Sequence, residues 1–174
     1  MIDKEALEFC KKAHGEQKRK YTGEPYWTHP LAVAKKVSIY NDDNDVIIAA
    51  LLHDVIEDTE IGYEEIKDNF GKKVADLVLE VSDISKPEDG NRAKRKEIDR
   101  QHLAKSSPQG ATIKLADLIH NTESIVKYDK GFAKIYLVEK EKCLNILKHG
   151  NSNLWDEAYQ TLTEAKKTVG LSEN

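Results

Sequence analysis

Seven consecutive apolar residues, Val46-Ile47-Ile48-Ala49-Ala50-Leu51-Leu52, run straight into His53-Asp54-Val55-Ile56-Glu57-Asp58. Such a run predicts a fully buried segment. A buried segment that ends in one imidazole and three carboxylates has to neutralise them, because an unpaired buried charge costs several kcal/mol. A bound metal ion meets that need. Ala49, Ala50, Leu51 and Leu52 favour helix, and no Gly or Pro intervenes before Gly62, so the spacing predicts a helix of three or more turns. On that helix His53 and Glu57, and likewise Asp54 and Asp58, stand four apart and present two polar pairs on adjoining faces.

The chain has 174 residues, enough for one domain burying roughly 70% of its unfolded surface. With 33% charged and 39% hydrophobic residues, four Pro and nine Gly, it has the profile of a helical protein. The net charge of −4 gives no support to a nucleic-acid-binding role. The first ten residues mix both charge signs without an apolar stretch, and the seven-residue run falls far short of the roughly 20 needed to cross a bilayer. No membrane association and a cytoplasmic location are expected. Cys10 and Cys143 occupy apolar positions of helical patterns without CxxC spacing, and read as reduced core thiols.

Ile2, Ala6, Phe9, Cys10 and Ala13 recur at helical spacing up to the basic run Lys18-Arg19-Lys20 and a turn over Tyr21 to Pro25. Pro30 suits the first position of a second helix reaching about Tyr40, with His29 at or next to its N-cap. Asn41 to Asn44 reads as a turn and cap for the buried helix. Further helices are predicted over Tyr63 to Asn69, Lys72 to about Ser82, Arg92 to Leu103, Ala111 to about Val126, Gly131 to Lys148 and Leu154 to Val169. Loops are predicted at Ser85 to Gly90 and Ser106 to Gly110. No strand pattern or repeat is evident, so the fold class is all-α, with about eight to ten helices in a single domain over residues 1–174.

Four polar features sit on otherwise apolar elements: His29, the pair His53-Asp54, the pair Glu57-Asp58, and Asp117 within Ile113-Lys114-Leu115-Ala116-Asp117. Two imidazoles and two carboxylates can serve one divalent ion and leave positions for water and substrate. Such mixed ligands suit Mn²⁺, Fe²⁺, Zn²⁺ or Mg²⁺ rather than copper. The basic helix containing Arg92, Lys94, Arg95, Lys96 and Arg100 reads as a solvated face, and His14, His102 and His149 as surface or packing histidines.

In order along the chain, His29-Pro30, His53-Asp54-x-x-Glu57-Asp58 and Lys114-Leu115-Ala116-Asp117-x-x-His120-Asn121 resemble the HD-superfamily hydrolase domain of RelA/SpoT-type proteins. Arg19-Lys20 followed by Gly23-Glu24-Pro25-Tyr26 adds to the match, which spans about residues 4–147. The short length and Ser106-Ser107-Pro108 resemble the single-domain small alarmone hydrolases, including metazoan SpoT homologues. The resemblance implies Mn²⁺-dependent removal of the 3′-pyrophosphate from guanosine tetra- and pentaphosphate. His29, His53, Asp54 and Asp117 would ligate the metal, and Glu57 and Asp58 would form the catalytic acidic pair. Arg19, Lys20, Asn121 and Tyr136 would contact the guanine nucleotide. Leu118 and the stretch after Asn121 depart from the family's basic residues there, and no synthetase domain is expected. The alternatives are an HD phosphohydrolase for other nucleotides and a non-catalytic alarmone-binding module; self-association is left open.

Overall fold

The structure is a computed structural model and describes residues 1–171. In order, the helices are α1 (Lys4–His14), α2 (Thr28–Tyr40), α3 (Asn44–Leu51), α4 (Val55–Asp58), α5 (Tyr63–Phe70) and α6 (Lys72–Val81). A single 3₁₀ turn at Pro87–Asp89 precedes α7 (Arg92–Leu103), α8 (Pro108–Tyr128), α9 (Lys130–Ile146) and α10 (Ser152–Thr168). Among the described residues the only β pairing is an isolated antiparallel bridge between Lys18 and Pro25, in the loop after α1. The fold is all-α.

Local chemistry accounts for most helix starts. The side chains of Asp3, Asp43, Asn91, Ser107, Asp129 and Asn151 each accept a hydrogen bond from a first-turn amide. Each satisfies a donor that the helix itself leaves unpaired. Ser107 also corrects an expectation: the predicted loop Ser106 to Gly110 is largely helix, because Ser107 caps α8 and Pro108, which needs no amide partner, opens it.

The long α8 packs against α2, α3, α6, α9 and α10. Its residues Ile113, Leu115, Ala116, Leu118 and Ile119 are all buried, so the helix is apolar around most of its girth and serves as a central strut. Val46 to Leu52 lie beside it, none more than 7% exposed. Burying each large aliphatic side chain in such a run contributes about 1.5–3 kcal/mol.

Two expectations about this region are corrected. The helix predicted to continue through Asp58 stops at Leu51, and Leu52, His53 and Asp54 form a tight turn before α4. The cause is local: His53 Nδ1 donates to the Ala50 carbonyl at 2.7 Å, a carbonyl that in an unbroken helix serves the amide four residues on. The Val55 amide turns back instead to the Leu52 carbonyl at 3.0 Å. Second, His29 lies inside the first turn of α2 rather than at its cap. The turn Pro25 to Thr28 runs directly into the helix, with the His29 amide on the Tyr26 carbonyl at 3.0 Å.

Candidate metal centre and cleft

Three segments, two helices and one turn, bring the predicted ligands together. His29 comes from the first turn of α2, His53 and Asp54 from the turn between α3 and α4, and Asp117 from the middle of α8. One ligand atom each from His29, His53 and Asp54 lies within 4.8 Å of the others. Asp117 joins them: its Oδ1 is 3.1 Å from His29 Nε2 and 3.6 Å from His53 Nε2. Asp54 contributes Oδ1 at 3.2 Å from His53 Nε2 and Oδ2 at 3.5 Å from His29 Nε2.

The chemistry of these donors fits a divalent cation. Both imidazole Nε2 atoms are fully buried and have no hydrogen-bond partner of good geometry, a costly state for polar atoms that a metal relieves. The Ala50 carbonyl can only accept, so His53 carries its Nδ1 proton there and directs the Nε2 lone pair inward. The surrounding field is anionic. Burial alone would depress the His53 pKa, but Asp54 and Asp117 outweigh it and raise the imidazole to about 10. Without a metal that field holds a second proton on Nε2; a cation at the same point would replace the proton and meet the lone pair.

Outer groups fix these ligands. Tyr26 donates its hydroxyl to Asp54 Oδ2 at 2.8 Å, and Asn121 donates Nδ2 to Asp117 Oδ1 at 2.7 Å. Lys114 Nζ is 3.1 Å from Asp117 Oδ2, with its side chain 13% exposed. Burial opposes the charge on Lys114, yet Asp117, Asp83 and Glu57 together hold its pKa well above the ordinary value. His29 Nδ1 meets His120 Nδ1 at 2.7 Å.

Asp54 and Asp117 line a cleft of about 230 Å³ together with Glu57, Asp58, Asp83, Lys96, Arg100, Lys114, Lys140 and Cys143 among others. Glu57 opens into it with its Oε2 held by the Asp83 amide at 3.0 Å. Although Glu57 is on the surface of the cleft, the protein around it withholds enough solvent to push its carboxyl up to about 7; Lys114 opposes this, while Asp83 and Asp54 add to it. Burial and then Asp54 also raise Asp58. A neighbouring hollow of about 440 Å³ shares Glu57, Asp83, Lys96 and Asp99 with the cleft and adds Lys86, Arg92 and Arg95. The basic helix therefore faces two ways: Arg92 pairs with Glu139 at 2.8 Å, whereas Lys96 and Arg100 look into the cleft.

The predicted nucleotide-side residues are scattered. Arg19 stands over the Tyr26 ring at 5.7 Å and reaches Asn121 Oδ1 at 3.3 Å, so it flanks the centre. Lys20 is exposed beside Tyr21 and Phe132. Asn121 is engaged with Asp117 and Arg19. Tyr136 is 5% exposed, its hydroxyl buried without a partner, so its side chain belongs to the core rather than to the cleft lining. Tyr26, Lys114, Asp83 and His120 were given no firm role from the sequence. Three of them lie inside motifs already quoted, whereas Asp83, which holds Glu57 by its amide and Lys96 by its carboxylate, lies outside every motif.

Comparison with known proteins agrees with this geometry. A family model described as HD domain matches residues 6–137. The guanosine-3′,5′-bis(diphosphate) 3′-pyrophosphohydrolase of Aquifex aeolicus is 45% identical over 69% of this chain, which spans only 17% of that longer protein. The Drosophila melanogaster MESH1 guanosine-3′,5′-bis(diphosphate) 3′-pyrophosphohydrolase is 35% identical over 86% of this chain and 87% of its own length. A solved structure described as a metazoan ortholog of SpoT that hydrolyzes ppGpp superposes with a TM-score of 0.81 at 31% identity, covering 97% of this chain and 95% of that one. Two buried histidines and two buried aspartates converging from two helices and a turn, together with these matches, place the chain in the HD-domain family, among relatives named guanosine-3′,5′-bis(diphosphate) 3′-pyrophosphohydrolase.

Proposed function

We propose that this chain hydrolyses the 3′-pyrophosphate of guanosine tetra- and pentaphosphate, giving GDP or GTP and pyrophosphate, with one Mn²⁺ ion held by His29, His53, Asp54 and Asp117. One observation carries the reading: the unpartnered Nε2 atoms of His29 and His53 meet the carboxylates of Asp54 and Asp117, which line a cleft shared with Glu57 and Asp58.

Held by these four residues, a divalent ion would supply Lewis acidity toward water and offset phosphoryl charge. Glu57 is assigned as the base for the attacking water: its raised pKa of about 7 suits proton transfer near neutrality, it lines the cleft, and the Asp83 amide holds one of its carboxylate oxygens. Asp58 lines the same cleft, its carboxyl raised by burial and then by Asp54, and it is assigned to assist the departing 3′-oxygen. Lys96, Arg100 and Lys140 supply cations for the phosphates along the cleft wall. Arg19 and Lys20 flank the nucleotide end, where Asn121 holds Asp117 and Arg19 together.

The test is incubation of the protein and of Asp54→Ala with guanosine tetraphosphate, other nucleotides and Mn²⁺, with products separated by chromatography. GDP plus pyrophosphate from the tetraphosphate, lost in the variant, is the expected result. Orthophosphate from ordinary nucleotides would instead assign the chain to general nucleotide hydrolysis, and nucleotide binding without turnover would make it a sensor.

A further inference from the structure

The two imidazoles of His29 and His120 meet through like atoms, Nδ1 to Nδ1, at 2.7 Å, with ring planes tilted by 36°. At that distance the two nitrogens cannot both present protons or both present lone pairs; one donates and the other accepts. The far side of His29 decides which. Its Nε2 is buried, has no hydrogen-bond partner and faces Asp117 Oδ1 at 3.1 Å and Asp54 Oδ2 at 3.5 Å. A nitrogen that ligates a cation offers its lone pair, so a neutral His29 keeps its single ring proton on Nδ1.

We propose that His120 is a positioning residue for the metal centre: its Nδ1 accepts the His29 Nδ1–H, fixing the tautomer and the ring plane that present His29 Nε2 to the ion. The inference rests on the four-ligand reading above. It also assigns His120 away from direct coordination, since the nitrogen nearest the centre is already used by His29. The helix geometry explains how one element does both jobs. Asp117, His120 and Asn121 stand at i, i+3 and i+4 on α8, so a single face supplies one ligand, the support of another ligand on α2, and the amide that steadies Asp117. His29 and His53 are thereby treated alike, each with Nδ1 tied to an acceptor, the Ala50 carbonyl in one case and His120 in the other. Such outer partners typically contribute about 10–100-fold to metal affinity.

The experiment measures Mn²⁺ affinity directly, by calorimetric titration of chelator-stripped protein, in wild type, His120→Phe, His120→Asn and His53→Ala. Phenylalanine keeps the ring volume without an acceptor; asparagine places a carbonyl oxygen close to where Nδ1 stood. Affinity reduced by about 10–100-fold in His120→Phe and largely regained in His120→Asn, with equal helical circular dichroism, is the expected result. Wild-type affinity in His120→Phe while His53→Ala binds no metal would overturn the inference alone. A loss in His120→Phe that asparagine does not restore would overturn it too, as a packing effect. Undiminished binding in His53→Ala would overturn the metal centre itself.

Discussion

Lys114 is held between carboxylates that belong to different parts of the site. Its Nζ is 3.1 Å from the proposed ligand Asp117, and its charge also lowers the carboxyl of Glu57 against the effect of burial. Lys114→Met keeps the aliphatic stem but removes the lysine cation from Asp117, leaving His53 as the remaining positive neighbour. Breaking a buried pair from one side costs about 3–5 kcal/mol, so metal-free Lys114→Met is expected to unfold at markedly lower denaturant concentration. Chemical denaturation with and without chelator measures this. Glu57 carries a second prediction. A base acts only when ionised, and its pKa stands at about 7, so the rate should rise with pH through an acid limb at or below about 7, because a nearby metal charge lowers it further. The pH profile of kcat is the measurement, and Glu57→Gln should abolish turnover while Mn²⁺ still binds.

Element by element, the join between α8 and α10 depends on Gly150. A Cβ built there would come 2.9 Å from Leu115 Cδ1, 3.1 Å from the Thr112 amide nitrogen and 3.2 Å from the Ala111 carbonyl carbon. Two of these are backbone atoms that cannot swing aside. Gly150→Ala should therefore destabilise by about 1–3 kcal/mol, read from the thermal midpoint, while Asn151→Ala, which removes the cap of α10, should cost about 1 kcal/mol. The elements themselves were mostly legible in the sequence because caps and apolar spacing are local signals; Asp43 and Asn44 before Val46 to Leu52 announced a buried helix, and that helix is there. The break at His53 was not legible. No Gly or Pro marks it, and it arises from a side-chain bond to Ala50 that only the assembled turn reveals. Tyr136 was named by position in the family pattern alone, and position does not tell how deep a side chain lies: its hydroxyl is buried without a partner. The ligand candidates were legible since buried charges at the end of an apolar run demand a partner. The supports Tyr26, Lys114 and His120 depend on contacts across 28 or more residues, or on the spacing of a helix whose neighbours were unknown.

For the whole molecule, cation binding and folding are coupled. His29 and His53 are completely buried and arrive from separate segments, so an unfolded chain has no comparable site. A cation at 100 times its dissociation constant then stabilises the folded state by about 2.7 kcal/mol, or on the order of 5–10 °C in melting temperature for a chain of this size. Thermal melts with Mn²⁺ and with chelator test this, and His53→Ala should show no difference between the two. The cleft carries both signs of charge, with Lys96, Arg100, Lys114 and Lys140 set among Asp54, Glu57, Asp58, Asp83, Asp99 and Asp117, so a phosphorylated ligand and a cation each find opposite charge there. No helix among the described residues is long and apolar enough to cross a membrane.

The turn at Leu52 to Asp54 sets two goals of protein engineering against each other. On an uninterrupted helix successive side chains leave the axis about 100° apart and diverge, so neighbours in sequence cannot grip one point. Here His53 Nε2 and Asp54 Oδ1 come within 3.2 Å because the backbone gives up regularity between them. Substitutions that coax 51–55 into continuous helix would gain backbone hydrogen bonds and swing the two ligands apart. At this turn, a more robust scaffold and a tighter grip on the ion select opposite sequences.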